Sequence, residues 1–388
     1  MLTTTSHFDL AIIGGGPAGT SAAITAARAG AKVALFEARD FPRHRVCGEF
    51  VSAESLDLLA ELLHDAPEAA ALFASAPVID RTRLLFRTRV IEAAVSPTAL
   101  SITRYDLDAL LWDSAQRAGA EVRSDCEVGT IEGDGPFSLQ TSSGSYTAKA
   151  LMVAAGRWSQ FTADRTLPSG PKWIGVKAHF RETDAARSSD LYFFEHGYCG
   201  VQPVAVDTVN ACAMVRSDCA TSFDEVFALH PRLAERAAGW QTLMQPISTA
   251  PLVYREPQPV RNNMVFVGDA AAFIDPFAGD GISIALRSGC VAARCLCEFV
   301  LGRNSVADAV AAYEREYARQ FAPLIAAAAR VRFLLSLPAS AKPVVFELLR
   351  FPGLIPYLIR QTRKATSNWQ LVSCVQKDDI FRTPFSSG

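Results

Sequence analysis

The chain has 388 residues, 49% of them hydrophobic and 20% charged, with a formal net charge of −2. That length exceeds one ordinary core and predicts two domains, while the near-neutral charge excludes the basic field of a nucleic-acid binder. The opening MLTTTSHFDLAIIG lacks the features of a signal peptide, and no uncharged apolar run approaches a membrane span, so a cytoplasmic protein without a transmembrane segment is expected. Nine cysteines form no paired CxxC framework, so reduced thiols and no metal site are expected.

In chain order, residues 9–13 read as a short buried strand. GGGPAG at 14–19 is a turn, and the alanine-rich 18–29 is a helix ended by Gly30. Residues 32–36 form the next strand, closed by Glu37 and Ala38, so the opening is a βαβ unit. Residues 52–63 and 105–118 read as helices, and 151–155 as a strand running into Gly156. The middle differs. Ile174, Val176, Ala178 and Phe180 alternate with Gly175, Lys177 and His179, the period of a strand. Residues 191–194, 201–206 and 209–215 add further strands, giving an antiparallel block. A strand at 264–267 follows, and helices dominate to the end.

The expected architecture is α/β: a discontinuous Rossmann-like nucleotide domain carrying an inserted antiparallel sheet and a helical C-terminal segment. The nucleotide domain is assigned to residues 1–80, 106–165 and 259–305. The substrate sheet takes 81–105 and 166–258, and the helical segment takes 306–388.

Gly14, Gly16 and Gly19 match G-x-G-x-x-G, with Pro17 and Ala18 inside the motif. The glycines permit a tight turn, close approach of a pyrophosphate and close helix packing, and the helix N-terminus offers free N–H groups. Glu37, about 20 residues on at the next strand end, can accept from ribose hydroxyls. GDAAAFIDPFAGDGI at 268–282 is a second such turn. Asp269, after Gly268, can accept from a ribitol hydroxyl, which NAD does not have. Pro276, Gly279, Gly281 and Ile282 lead into a helix whose N–H groups would face a flavin's pyrimidine oxygen. The two turns together predict non-covalent FAD.

IIGGGPAG, GDAAAFIDPFAGDGI and the arginine of TRYDLDALL together resemble the p-hydroxybenzoate-hydroxylase superfamily of FAD enzymes, whose nucleotide domain is of the glutathione-reductase type. FPRHRVCGEFVS is similar to a stretch in the branch of geranylgeranyl reductases, flavin halogenases and related monooxygenases. The resemblance implies that Arg104 lies near FAD and that Arg45, Val46, Cys47 and Gly48 pass beside the isoalloxazine. It also implies that AAGRWS, with Ala155 and Gly156, lies near the pyrophosphate, although the usual acidic residue is absent there. No second dinucleotide motif and no early C-x₄-C appear, since position 52 is Ser52. Electrons are therefore expected from NAD(P)H visiting the cleft or from a partner flavin reductase. Halogenases of this branch carry W-x-W-x-I-P and the reductases Y-x-W-x-F-P, where this chain has YCGVQP, keeping Tyr198 and Pro203 but placing Gly200 at the tryptophan, where the lost indole is expected to open volume in the pocket wall.

Cys47 and Glu49 are candidates for proton transfer or substrate orientation, against a small packed thiol and a salt bridge from Glu49 to Arg43 or Arg45. Tyr198 is a candidate catalytic residue on the sheet that should cover the flavin. Glu49, His196, Tyr198, Gly200, Pro203 and Phe277 are candidate substrate contacts. His179 reads as a satisfied structural histidine, and alternation puts Lys177 on the polar face of its strand. The C-terminal segment, with Arg350, Arg360, Arg363 and Lys364 among apolar residues, reads as a helical cap, with weak peripheral membrane contact as the other reading. The expected activity is monooxygenation of a small apolar or aromatic, polyketide-like substrate through a flavin C4a-hydroperoxide. The alternative is reduction of prenyl or conjugated double bonds by hydride from flavin N5. Halogenation and a non-catalytic flavin-binding role rank below both.

Overall fold

The computed structural model describes residues 6–157, 160–161, 170–249, 251–274 and 279–335. Two eight-stranded sheets organise them. The first contains β1 (Ser6–Ile13), β2 (Val33–Phe36), β6 (Glu121–Arg123), β7 (Val128–Glu132), β8 (Phe137–Thr141), β9 (Gly144–Val153), β15 (Val260–Arg261) and β16 (Met264–Phe266). Its order is β15-β16-β9-β1-β2-β6, and β1 pairs in parallel with both β2 and β9. The β7–β8 hairpin attaches through β8 to β9. The second contains β3 (Phe50–Val51), β4 (Val78–Phe86), β5 (Arg89–Ser101), β10 (Trp173–Arg181), β11 (Ser188–Phe194), β12 (Gly197–Ala205), β13 (Thr208–Arg216) and β14 (Gln241–Thr249), in the order β14-β10-β13-β12-β11-β4-β5-β3. All its pairs are antiparallel except β11 with β4.

The helices are α1 (Pro17–Arg28), α2 (Ala53–Leu62), α3 (Pro67–Ser75), α4 (Arg104–Arg117), α5 (Phe223–Ala228), α6 (Pro231–Ala237), α7 (Gly281–Val300), α8 (Val306–Gln320) and α9 (Ala322–Leu335). The parallel sheet is buried on both faces, as a βαβ sheet requires. Leu10 and Ile12 of β1 join the helix-side core with α1, α4, α7 and α8, whereas Ala11 and Ile13 face the core under the β7–β8 hairpin. That hairpin, turned at Gly133 and Gly135, covers this second face of the sheet. Helices α1 and α7 pack almost backbone to backbone: a methyl on Gly289 would lie 2.1 Å from the Ala18 carbonyl oxygen. The Ser21 hydroxyl donates to the Leu286 carbonyl at 3.0 Å, which ties the start of the chain to its last third.

The second sheet has two unlike faces. Val176, Ala178 and Phe180 pack with Phe223, Val226 and Leu233 of α5 and α6. Gly175, Lys177 and His179 alternate with them and point the other way, toward the 41–49 loop. The chain thus has the mixed α/β fold its motifs led us to expect, with a parallel nucleotide-type sheet, an antiparallel sheet and C-terminal helices. The C-terminal segment read as a helical cap, with Arg350, Arg360, Arg363 and Lys364, lies outside the described residues.

Candidate active site

The first glycine turn is shaped by what it touches. Gly14 has φ of +110°, and a methyl there would lie 2.5 Å from the Ala154 carbonyl oxygen. A methyl on Gly19 would lie 1.9 Å from the Gly14 carbonyl oxygen, so only glycine lets α1 begin against the turn. Gly16 caps α1, Pro17 occupies its first turn, and no side chain caps its N–H groups. The nearest group to the open side of Gly16 is Arg104 Nη2, 3.8 Å from a would-be methyl. Asp108, one turn on along α4, holds that guanidinium by two hydrogen bonds of 2.7 and 2.6 Å. A mostly buried guanidinium therefore lies beside the uncapped N–H groups of α1.

Glu37 stands at the end of β2 and is 5% exposed. Its Oε2 accepts from Gly15 N at 2.9 Å and its Oε1 from Arg43 Nη2 at 2.7 Å, with Arg45 Nη2 at 3.8 Å. Burial pushes its carboxyl upward, but Arg43, the Gly15 amide and Arg45 outweigh that and hold it below the usual carboxylate range. Burial and the neighbouring Arg43 bring the Arg45 guanidinium down to about 10. Ala38 beside Glu37 is exposed.

The second turn meets the first. Gly268 has φ of +56°, and a methyl on it would lie 3.1 Å from Ala18 Cβ. Asp269 has 36% of its side chain exposed, with Arg157 Nη1 at 3.3 Å from its Oδ2. Burial raises its carboxyl, and Arg157 and Arg104 oppose the rise. Gly279, with φ of +70°, passes the Phe50 ring, and α7 then starts at Gly281. Ile282 is buried in the helix-side core, and Pro276 and Phe277 lie outside the described residues. Ala155 packs between the two cores of the parallel sheet, and Gly156 has φ of +72° with open space around it. Uncapped N–H groups, a fixed arginine, a buried acceptor at one end and an accessible carboxylate at the other fit the pyrophosphate, adenosine ribose and ribitol of FAD.

The 41–49 loop joins this groove to the antiparallel sheet. Val46 abuts Gly175, where a methyl would lie 2.9 Å from Val46 Cγ1, and Asn210 Nδ2 donates to the Cys47 carbonyl at 3.0 Å. Burial raises the Cys47 thiol, with Arg104 opposing, so it stays protonated near neutral pH. Glu49 has no exposed surface and a φ of 62°, the left-handed region a branched or long side chain seldom enters. Its Oε1 accepts from Lys177 Nζ and from the Arg104 amide at 2.8 Å, and its Oε2 is 2.9 Å from His179 Nε2. Burial pushes the carboxyl up, but His179 and Lys177 hold it below its ordinary value. His44 packs edge-on to His179 with ring centroids 5.4 Å apart.

Three sequence expectations change here. Glu49 pairs with Lys177 and His179 of β10, while Arg43 and Arg45 serve Glu37. Lys177 does lie on the polar face of its strand, but that face meets the loop and not water, so the side chain is fully buried. Gly200 does not leave a simple void for the missing tryptophan, because Leu191 Cδ2 lies 3.3 Å from where its Cβ would be. Tyr198 is buried in an apolar cluster with Leu84, Phe86, Phe193, Met214, Leu252 and Phe273, flanked by Trp173 and Tyr254. Pro203 shares its strand parity with Cys199 and Val201, which face the α5–α6 core. His196 sits at the β11–β12 turn with φ of 60° and 36% of its side chain exposed, beside Glu195. Sequence reading missed Asp108, Asn210 and the pairing of Lys177 and His179 with Glu49; H-R-x-C-x-E before β3 and K-x-H in β10 were the available signals.

Comparison with known proteins places the fold. Residues 8–166 match the family described as pyridine nucleotide-disulphide oxidoreductase. Conditioned medium factor receptor 1 of Dictyostelium discoideum is 26% identical over 75% of this chain, which spans 63% of that protein. The digeranylgeranylglycerophospholipid reductase of Methanosphaerula palustris is 26% identical, covering 80% of this chain and 82% of the reductase. The structure of the flavin-dependent brominase Bmp2 superposes with a TM-score of 0.77 at 20% identity, over 94% of this chain and 96% of that one. The chain carries the fold of the FAD enzymes in the geranylgeranyl reductase and flavin halogenase branch that its motifs resemble.

Proposed function

We propose that the chain is an FAD-dependent oxidoreductase that oxygenates a small, largely apolar substrate held between the flavin and the antiparallel sheet. The observation that carries this reading is the division of that sheet's inner face. Tyr198, Phe193 and Met214 of its strands form a buried apolar cluster with Phe273 of the loop after β16, while Lys177, His179 and Asn210 line the part beside the 41–49 loop. A bound flavin, once reduced, supplies the two electrons that either activate dioxygen or reduce a conjugated bond. The protein's own work is to seat an apolar molecule, exclude water and place a proton donor nearby. Cys47, kept protonated, and Glu49 with its paired cations are the candidate groups for that proton, and Tyr198 is the candidate for orienting the substrate. FAD is held without a covalent bond by the residues of the two turns, Glu37, Arg104 and Asp269. Electrons come from NAD(P)H or from a separate flavin reductase. Among the described residues no helix is long and apolar enough to cross a membrane.

Double-bond reduction is the second reading, favoured by the sequence similarity to the archaeal phospholipid reductase over four-fifths of each chain. Turnover with candidate aromatic and isoprenoid substrates under ¹⁸O₂, read by mass spectrometry, separates the two. Gain of one labelled oxygen supports oxygenation. Gain of two hydrogens without oxygen moves the protein to the reductase class, and a halide-dependent mass shift overturns both.

A further inference from the structure

Arg157 stands where the two sheets and the second turn meet. It follows β9 and Gly156, whose φ of +72° turns the chain out of the parallel sheet. Its Nη1 lies 3.3 Å from Asp269 Oδ2, and its Nη2 donates to Thr249 Oγ1 at the end of β14, at 3.1 Å. The guanidinium lies over the Phe273 ring, 4.4 Å from the centroid. Phe273 stacks on Tyr254 with centroids 5.2 Å apart, and Arg332 of α9 covers Tyr254 at 3.7 Å. The Tyr254 hydroxyl donates to Met214 Sδ at 3.2 Å. One stack of cation, ring, ring and cation thus runs from the carboxylate of the second turn along the apolar cluster of Tyr198 and Met214. A guanidinium suits its head: the edge can bond a carboxylate and a hydroxyl while the face packs on a ring.

We propose that Arg157 is a positioning residue that holds the Asp269 carboxylate for the cofactor and, through Phe273 and Tyr254, makes cofactor seating and the packing of the aromatic wall depend on each other. This rests on the proposed function, in which Asp269 accepts from the ribitol of FAD. Burial raises the Asp269 carboxyl, and Arg157 and Arg104 of α4 oppose the rise. The other titratable or charged groups around it are Tyr317 of α8, and Arg255 and Glu256 from the β14–β15 connection, which line the same cleft. An ionised carboxylate is the stronger acceptor. FAD affinity is therefore full above the value this carboxyl has in the free protein and falls as pH drops through it. Removing Arg157 raises that value and moves the fall to higher pH.

Fluorescence titration of the full-length apoprotein with FAD, repeated across the acid-to-neutral range, tests this. In Arg157→Gln the fall in affinity should begin about one pH unit higher than in the wild type. That displacement should vanish when both proteins also carry Asp269→Asn. Phe273→Leu should weaken FAD affinity about threefold in the wild type, the worth of a cation–π contact, and have no effect beside Arg157→Gln. Equal onsets in wild type and Arg157→Gln, a displacement that survives Asp269→Asn, or equal losses from Phe273→Leu in both backgrounds overturn the role of Arg157. If circular dichroism shows that Arg157→Gln does not fold, Phe273→Leu alone decides, and unchanged FAD affinity in it overturns the role. A wild type that takes up no FAD overturns the cofactor reading and this role with it. A wild type that binds FAD while the variants miss the expected pattern overturns this role alone.

Discussion

Glu49 and Lys177, 128 residues apart in sequence, form an ion pair in which neither side chain has exposed surface. The pair bolts the loop beside the cofactor groove to the antiparallel sheet, and His179 completes it. Glu49 does so from a backbone conformation that favours glycine.

Breaking this pair on one side leaves a buried, uncompensated charge. Lys177→Met should therefore destabilise the protein by roughly 3–5 kcal/mol. The double variant Glu49→Gln, Lys177→Met should recover part of that loss, because no unpaired charge remains. Urea unfolding of the single and double variants measures both values. A double variant no better than Lys177→Met would show that the pair is not the unit of stability.

Glu37 accepts from the Gly15 amide, and in the proposed function it also accepts from the ribose of FAD. Glu37→Ala should leave the chain folded and weaken FAD affinity by the worth of one charge-assisted hydrogen bond, ~1.5–3 kcal/mol, which is about 10- to 100-fold. Asp269→Ala should act in the same direction. Fluorescence titration of apoprotein with FAD gives the change, and an unchanged affinity would remove Glu37 from the site.

Gly289 contributes no side chain, only the absence of one. A methyl 2.1 Å from the Ala18 carbonyl oxygen meets backbone that cannot step aside. Gly289→Ala should prise α7 from α1 and lower thermal stability by several degrees, about 1–3 kcal/mol for overpacking. It should weaken FAD binding as well, since both glycine turns lead into these helices. Calorimetry and FAD titration on the same preparation test the coupling.

His230 is 1% exposed, and neither ring nitrogen has a hydrogen-bond partner. Burial, with Arg232 nearby, lowers its affinity for a proton. A histidine whose folded value is depressed binds protons more readily when unfolded. Its contribution is therefore present above its unfolded value of about 6.5 and is lost as pH falls toward the folded value. The wild type should lose stability between pH 7 and 5 more steeply than His230→Leu. Urea midpoints across that range compare the slopes, and parallel slopes would contradict the assignment.

The groove was legible because its signals are local. A glycine turn between strand and helix, an acid at the next strand end and a Gly-Asp pair before a second helix each sit within one short segment. Lys177 shows where such reading stops. Alternation in β10 correctly separates Lys177 and His179 from Val176 and Ala178, but period two cannot say whether the polar face meets water or another part of the chain. Glu49 was hidden for a related reason: its partners come from β10 and α4, and the nearer arginines at 43 and 45 turn back to Glu37. Gly200 was read as lost volume, yet Leu191 from the neighbouring strand closes in on it, a contact set by register and not by spacing.

The proposed function requires one non-covalent FAD seated between the Gly14–Gly19 turn and Asp269. The direct measurement is to purify the chain, precipitate it with acid, and quantify the released cofactor by liquid chromatography and mass spectrometry. One equivalent of FAD in the supernatant, reduced in amount by Glu37→Ala and Asp269→Ala, is the predicted result. NAD without flavin, or a flavin that stays with the precipitated protein, would contradict it.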